Sequence, residues 1–232
     1  MPRLYLLELF AGTHSVLRAL RRSRIARDFE IRLLSVDREP KFSPSIVADV
    51  NSWRYKDAVD EFLRGVGRRD VVAVWASPPC QEFSLAKNGR PRDLEGASRT
   101  VKSAFHIIKY VKSKFKPSVW FIENPLGLLK DQAFMQKHNK HLHTTCYCMF
   151  GFLYKKPTNV WSNVPLGDLP MCNSRTPCAT KRSYGLHLEW VQSSDKHHTG
   201  GLGGGVRSFP IPPRLVRYLF RRAIDTQGAR DA

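Results

Sequence analysis

The sequence predicts an α/β fold built on an open, mainly parallel sheet, and three observations carry that prediction. Apolar runs at residues 4–10, 31–36, 71–76 and 119–122 have the length and branching of buried strands. Stretches with helical spacing separate them. The first run is followed at once by a glycine turn, Ala11-Gly12-Thr13-His14-Ser15, and then by Val16, Leu17 and Leu20, the order of a βα unit whose turn faces a ligand.

With 232 residues, the chain can bury one sizeable core and at most one large domain with a small appendage. A formal net charge of +18 is too large for an enzyme of neutral small molecules without a reason, and the commonest reason is a polyanion such as nucleic acid. Apolar and aromatic content are those of a folded protein, which excludes a disordered basic tail. Five cysteines without a compact array suggest a reducing compartment. The apolar run at the start breaks at Glu8, too early for a signal peptide, and no later run could span a membrane. A soluble, intracellular monomer is the expectation.

In the first turn, Gly12 lets the backbone approach a ligand while the helix start offers free N–H groups, although one glycine in such a turn is more often turn chemistry alone. Arg18, Arg21, Arg22, Arg24 and Arg27 follow, a charge run that reads as a solvated face. The second strand ends at Asp37, where a carboxylate can accept from both hydroxyls of a ribose. Residues 46–48 lead to Asp49, before a helical stretch over residues 53–63 that Asp49 could instead cap.

The run 71–76 ends on Ser77-Pro78-Pro79-Cys80-Gln81-Glu82-Phe83-Ser84. Two prolines stiffen the turn, and Cys80 is presented at the carboxyl edge of the sheet, where open α/β sheets bind ligands. A thiol there reads as a nucleophile, while a lone cysteine elsewhere would be a small buried hydrophobe. A basic, glycine- and proline-punctuated loop covers residues 86–93. Val101, Ala104, Phe105, Ile108, Val111 and Phe115 recur at helical spacing up to Pro117 and are core residues. The strand at 119–122 then stops at Glu123-Asn124-Pro125, a carboxylate fixed at a strand tip by a following proline.

These three turns, in this order, resemble the motifs of the cytosine-5 DNA methyltransferases. Glu8-Leu9-Phe10-Ala11-Gly12-Thr13 is similar to that family's cofactor motif, Pro78-Pro79-Cys80-Gln81 to its nucleophile motif and Glu123-Asn124-Pro125 to its acidic motif. Where the family usually carries Asp and further glycines, this chain has Glu8, His14 and Ser15. The resemblance implies a Rossmann-like class I S-adenosylmethionine-dependent fold and a methyl transfer to C5 of a flipped-out cytosine in double-stranded DNA, with S-adenosylhomocysteine as product. It implies that Cys80 attacks the base; Glu123 fits as the group that meets N3 with a proton if burial raises its pKa. It also implies that a helix start behind the turn and nearby positive charge activate Cys80.

The cofactor would lie against Glu8, Phe10, Ala11, Gly12, Thr13, His14, Ser15, Asp37, Asp49 and Pro78, with Phe10 packed on the adenine and Asp49 bonded to its amino group. The base would meet Pro79, Gln81, Ser84, Asn124 and Pro125, and the loop at 86–93 would close over it. The segment from Gly151 to Trp161 resembles one typical of the phage and large-virus branch. It lacks the usual arginine motif, for which Lys155, Lys156 or Thr158 could stand in. Two readings share these residues: an RNA cytosine-5 methyltransferase, and an inactive nucleic-acid-binding relative.

The expected organisation is a catalytic domain over residues 1–165, a small recognition segment over 166–205, and a closing helix within 206–232 that returns to the catalytic domain. Cys146 and Cys148, in an alternating stretch from His141 to Phe150, are expected on one face of a strand as buried packing. The recognition segment is rich in turn residues and matches no standard zinc finger, so an ordinary loop is expected. If a zinc staples it, Cys172, Cys178, His187, His197 and His198 are the donors available. Gly200 to Gly205 read as a flexible connection, and Leu215, Val216, Leu219 and Phe220 as the inward face of the last helix.

Overall fold

The structure is a computed structural model that describes residues 1–85, 87, 91–115, 118–189 and 210–228. Its strands are β1 (Arg3–Leu9), β2 (Glu30–Asp37), β3 (Ile46–Val47), β4 (Val71–Ala76), β5 (Ser118–Pro125), β6 (Leu142–Cys146) and β7 (Pro157–Ser162). Its α-helices are α1 (Ser15–Arg21), α2 (Ile25–Asp28), α3 (Tyr55–Phe62), α4 (Leu94–Lys114), α5 (Ala179–Tyr184) and α6 (Pro213–Gly228). Parts of the 86–93 loop, Pro117, His197, His198 and Gly200 to Gly205 lie outside the described residues.

The strands form one sheet in the order β3-β2-β1-β4-β5-β7-β6. The first five run parallel, and β7 is inserted antiparallel between β5 and β6. Alternation along each strand divides the core in two. Leu4 and Leu6 of β1, Ala73 and Trp75 of β4, and Val119 and Phe121 of β5 face the layer holding α1, α2 and α6. Tyr5, Leu7 and Leu9, Val72, Val74 and Ala76, and Trp120 and Ile122 face the layer holding α3 and α4. The expected inward face of the last helix is buried: Leu215, Val216, Leu219 and Phe220 join the first layer, where Phe220 stacks on Trp75 at 6.1 Å. Thus α6 packs beside α1 and closes the face on which the chemistry lies.

Two local expectations are corrected. The stretch from His141 to Phe150 is not one strand: β6 ends at Cys146, and a 3-10 turn over Tyr147–Phe150 takes its place, closed by Gly151 at φ 95°. Cys146 and Cys148 therefore do not share a strand face. The long helix also starts earlier than its apolar spacing suggests, because Asp93 caps α4 by accepting from the Gly96 amide at 2.7 Å. A cap of that kind contributes about 1 kcal/mol.

Candidate active site

The parity that sorts the core also builds the site. Glu8 continues the face of Leu4 and Leu6, Ser77 that of Ala73 and Trp75, and Glu123 that of Val119 and Phe121. Glu8, Ser77 and Glu123 line one cavity of about 230 Å³ together with Phe10, Ala11, Gly12, Thr13, Ser15, Phe42, Trp75, Pro210 and Ile211. Sequence reasoning identified the β1 turn and Glu123 but missed Phe42, Trp75, Ser77, Pro210 and Ile211. Strand parity was the available signal for Trp75 and Ser77; Phe42 and the 210–211 pair arrive from distant sequence.

The turn after β1 carries three residues in the left-handed region, Phe10 (φ 57°), Gly12 (φ 47°) and His14 (φ 53°). Two of them are not glycine, a cost that persists only where surroundings fix the backbone. Here Asp37 fixes it: one carboxylate oxygen accepts from the Gly12 amide at 2.8 Å and the other from the Glu39 amide at 2.9 Å. A carboxylate has about four lone-pair sites, so these bonds leave acceptor capacity for a ribose. His14 accompanies the turn, with Nε2 2.9 Å from the Phe42 carbonyl and Nδ1 3.7 Å from Glu8 Oε2.

That second contact is too long for a hydrogen bond and is an ion pair only when His14 is protonated; Glu8 Oε2 and His14 Nδ1 are both buried without hydrogen-bond partners among the described residues. Burial pushes the Glu8 carboxyl up, while Glu8 raises His14. Asp49 does not cap α3. It is exposed, accepts from the Asn51 amide at 2.8 Å, and lies off the cavity on the loop that follows β3.

Cys80 sits four residues past β4 in a turn closed by the Phe83 and Ser84 amides, which donate to the Cys80 carbonyl. Every other cysteine is buried, while Cys80 is half-exposed. The expected helix start does not follow it among the described residues: the chain turns over Gln81 to Phe83, and the next described helix begins at Leu94. What holds the turn is Arg92, whose guanidinium donates to the carbonyls of Glu82, Ser84 and Lys87, while Lys87 and the Asp93 amide donate to the Glu82 carboxylate. Nothing in the local pattern marked Arg92 or Glu82. Burial pushes the Cys80 thiol up and the Glu123 carboxylate adds to this; Lys156 pulls it down. Of the expected activators, only the positive charge is present.

Replacing Lys156 with Gln should therefore move the pH dependence of Cys80 alkylation by iodoacetamide to higher pH. An unmoved curve would show that Lys156 does not act on the thiol.

Glu123 is 5% exposed, and its Oε1 accepts from Tyr147 at 2.9 Å and from Thr158. Oε2 is the oxygen through which Glu123 can meet a ligand. Burial, and then proximity to Glu123, push the Tyr147 hydroxyl well up, so it stays a donor. Thr158 is fully buried and also donates to the Asn124 carbonyl, which puts it behind Glu123 and out of reach of a base; Tyr147 is a partner that sequence reasoning missed. Asn124 is likewise buried, and its Nδ2 donates to the Pro78 carbonyl at 3.0 Å. This bond clasps the acidic turn to the cysteine turn. Pro78 is buried under the clasp, while Pro79 and Gln81 are exposed beside Cys80 and Pro125 is half-buried at the end of β5. Lys155 is exposed, and Lys156 lies with its ammonium 4.7 Å from the Tyr147 ring centre.

A second clasp joins the same two turns. Ser84 bridges to Gly127, and the Leu128 amide donates to the Phe83 carbonyl at 2.9 Å. A Cβ on Gly127 would stand 2.2 Å from the Phe83 carbonyl oxygen. The Gly127→Ala variant should consequently displace the cysteine turn, lowering kcat by roughly 10²-fold through misplacement and stability by about 1–3 kcal/mol through overpacking. Normal turnover by this variant would remove the clasp from the account.

The arginines of the first helix do face solvent, yet not singly. With Arg214, Arg217, Arg221 and Arg222 of α6, Arg21, Arg22, Arg24 and Arg27 line a groove of about 1040 Å³ that shares no residue with the cavity beside Glu123. In the segment after β7, Cys172 and Cys178 come within 3.6 and 3.5 Å of His187 Nε2.

No protein-family model matches the chain. It is 25% identical over 229 residues to a protein of frog virus 3 (isolate Goorha) named "Probable DNA (cytosine-5)-methyltransferase", covering 91% of this chain and 96% of that relative. In structure it is similar to the Entamoeba histolytica methyltransferase EhMeth, with a TM-score of 0.51 and 14% identity. That match covers 74% of this chain but spans only 57% of EhMeth. This likeness, with the strand order, shows a Rossmann-like α/β fold. No helix among the described residues is long and apolar enough to cross a membrane.

Proposed function

We infer that this chain is a cytosine-5 methyltransferase and that its substrate is DNA. The observation that carries the reading is the delivery of Cys80 and Glu123 from beyond the tips of adjacent parallel strands, within electrostatic reach of each other, with Glu123 lining the cavity under the β1 turn. Similarity along nearly the whole length of a viral protein with that name supports both the reaction and the substrate.

The residues at the cavity fit S-adenosylmethionine. Glu8 Oε2, buried and without a hydrogen-bond partner, suits an ammonium group, and Asp37 keeps acceptor capacity for ribose hydroxyls. The cavity takes only part of such a ligand, with Asp37 and Asp49 standing further out along the sheet edge. When bound, this cofactor supplies an electrophilic methyl group on a sulfonium.

The protein's own groups do the rest. C5 of cytosine is a weak nucleophile until a thiolate adds to C6, so Cys80 forms a C–S bond there and the displaced electron pair moves toward N3. Glu123 meets that charge with a proton at N3, held in position by Tyr147 and Thr158. C5 then accepts the methyl group; N3 returns its proton to Glu123, the C5 proton passes to water, and cleavage of the C–S bond releases Cys80 as the thiolate. Lys156 stabilises the thiolate at the start and the end. A stacked base cannot reach Cys80, so the cytosine must be flipped, and the +18 charge supplies the phosphate attraction that offsets a cost of a few kcal/mol.

The test is transfer of a labelled methyl group to duplex DNA and to transfer RNA in parallel. Label in DNA, located at C5 of cytosine, is the expected result. Label confined to RNA would transfer the same chemistry to the other polymer, and label in neither would overturn the reading.

A further inference from the structure

We propose that Cys148, Cys172, Cys178 and His187 bind one zinc(II) ion that staples the segment after β7 to the catalytic sheet. Their donor atoms all lie within 4.8 Å of one another, and the three cysteines are between 2% and 4% exposed. Tetrahedral zinc, with Zn–S near 2.3 Å and Zn–N near 2.05 Å, requires S···N separations of about 3.6 Å. The two that are measured, from Cys172 and Cys178 to His187 Nε2, are 3.6 and 3.5 Å. Three thiolates and one imidazole are a soft donor set that selects zinc over harder cations. Binding would release the three thiol protons to solvent.

Core packing offers this segment little else. From residue 167 to residue 189, Cys172 and Cys178 are the only buried side chains. Ordering some twenty residues costs on the order of 1 kcal/mol each in backbone entropy, more than two small side chains can offset. The backbone is instead shaped around the sulfurs. Asn173 closes a tight turn by accepting from the Arg175 and Thr176 amides, and the Cys178 and Lys181 amides point at Cys172 Sγ and Cys178 Sγ at 3.4 and 3.5 Å. Lys155 and Lys181 lie within electrostatic reach of His187 and would balance the single negative charge of a zinc with three thiolates. Cys146 is outside the set; its thiol contacts Met171 Sδ at 3.9 Å.

Part of this set is legible in the sequence. Cys172, Cys178 and His187 stood among the possible donors, while His197 and His198 lie outside the described residues. Cys148 was hidden because an alternating strand was expected where a 3-10 turn brings it round to the others. Its position has a consequence for the active site: the preceding residue is Tyr147, whose hydroxyl holds Glu123.

The experiment is metal analysis of the full chain, purified under reducing conditions without chelator from zinc-supplemented cells. About one equivalent of zinc is expected in the wild type, Cys146→Ala and Cys80→Ala proteins, with most of it lost from Cys172→Ala, Cys178→Ala and His187→Ala. Should those three variants fail to fold, wild-type protein stripped of metal and titrated with cobalt(II) keeps the proposal testable. The expected result is the intense visible absorption of tetrahedral cobalt–thiolate, abolished by added zinc. Zinc-free wild type without that absorption, a Cys172–Cys178 disulfide in the peptide map, or zinc lost equally from Cys146→Ala would overturn it.

Discussion

Cys80→Ala should lower methyl transfer to DNA by roughly 10⁴-fold or more, the scale on which loss of a covalent nucleophile acts, while leaving DNA binding and folding intact. The reason is geometric. Cys80 is half-exposed on a turn held by other residues: Arg92 grips the carbonyls of Glu82, Ser84 and Lys87, Asn124 grips Pro78, and Leu128 grips Phe83. Removing the sulfur leaves all of these bonds in place. Filter binding with duplex DNA, alongside transfer of labelled methyl, separates the two effects. Turnover by the variant within tenfold of wild type would eliminate Cys80 as nucleophile.

Glu123→Gln should slow transfer by about 10²- to 10⁴-fold, the range for a positioned general acid. A glutamine keeps the size of the side chain and an acceptor oxygen for Tyr147 and Thr158, so the site should stay folded. What it loses is a transferable proton for N3. Single-turnover rates across pH give the comparison, and a wild-type rate would remove the acid role. Tyr147→Phe should produce a smaller loss of the same kind, since Tyr147 acts only through Glu123.

Much of the architecture was legible because buried parallel strands announce themselves. Val71–Ala76 is apolar at every position and is covered on both faces, so its bounds agree with the sequence reading residue for residue. The strand β7 went unread as such because Pro157 and Asn159 interrupt its pattern, and its burial comes from distant partners, β5 and β6. The start of α4 was masked by turn chemistry, since Asp93 belongs at once to a proline-punctuated loop and to a helix cap.

The site divides in the same way. Glycine, proline, cysteine and carboxylate at strand ends were visible as local patterns. The residues that hold them were not, because Arg92, Tyr147 and Gly127 act through contacts whose partners lie elsewhere in sequence. Thr158 illustrates the limit: its proximity to the site was legible, but its direction, toward Glu123 and away from solvent, follows only from the antiparallel pairing of β7 with β5.

The most direct test of the whole account is covalent trapping. Duplex DNA synthesised with 5-fluorocytosine in place of cytosine carries a C5 substituent that cannot leave as a proton, so the thioether at C6 should persist once methyl transfer has occurred. Incubation with the protein and S-adenosylmethionine should yield a denaturant-stable protein–DNA adduct, with the modified nucleotide on the peptide containing Cys80. An adduct on any other residue, or none under conditions where unmodified DNA is methylated, would contradict the claim that Cys80 attacks the base held by Glu123.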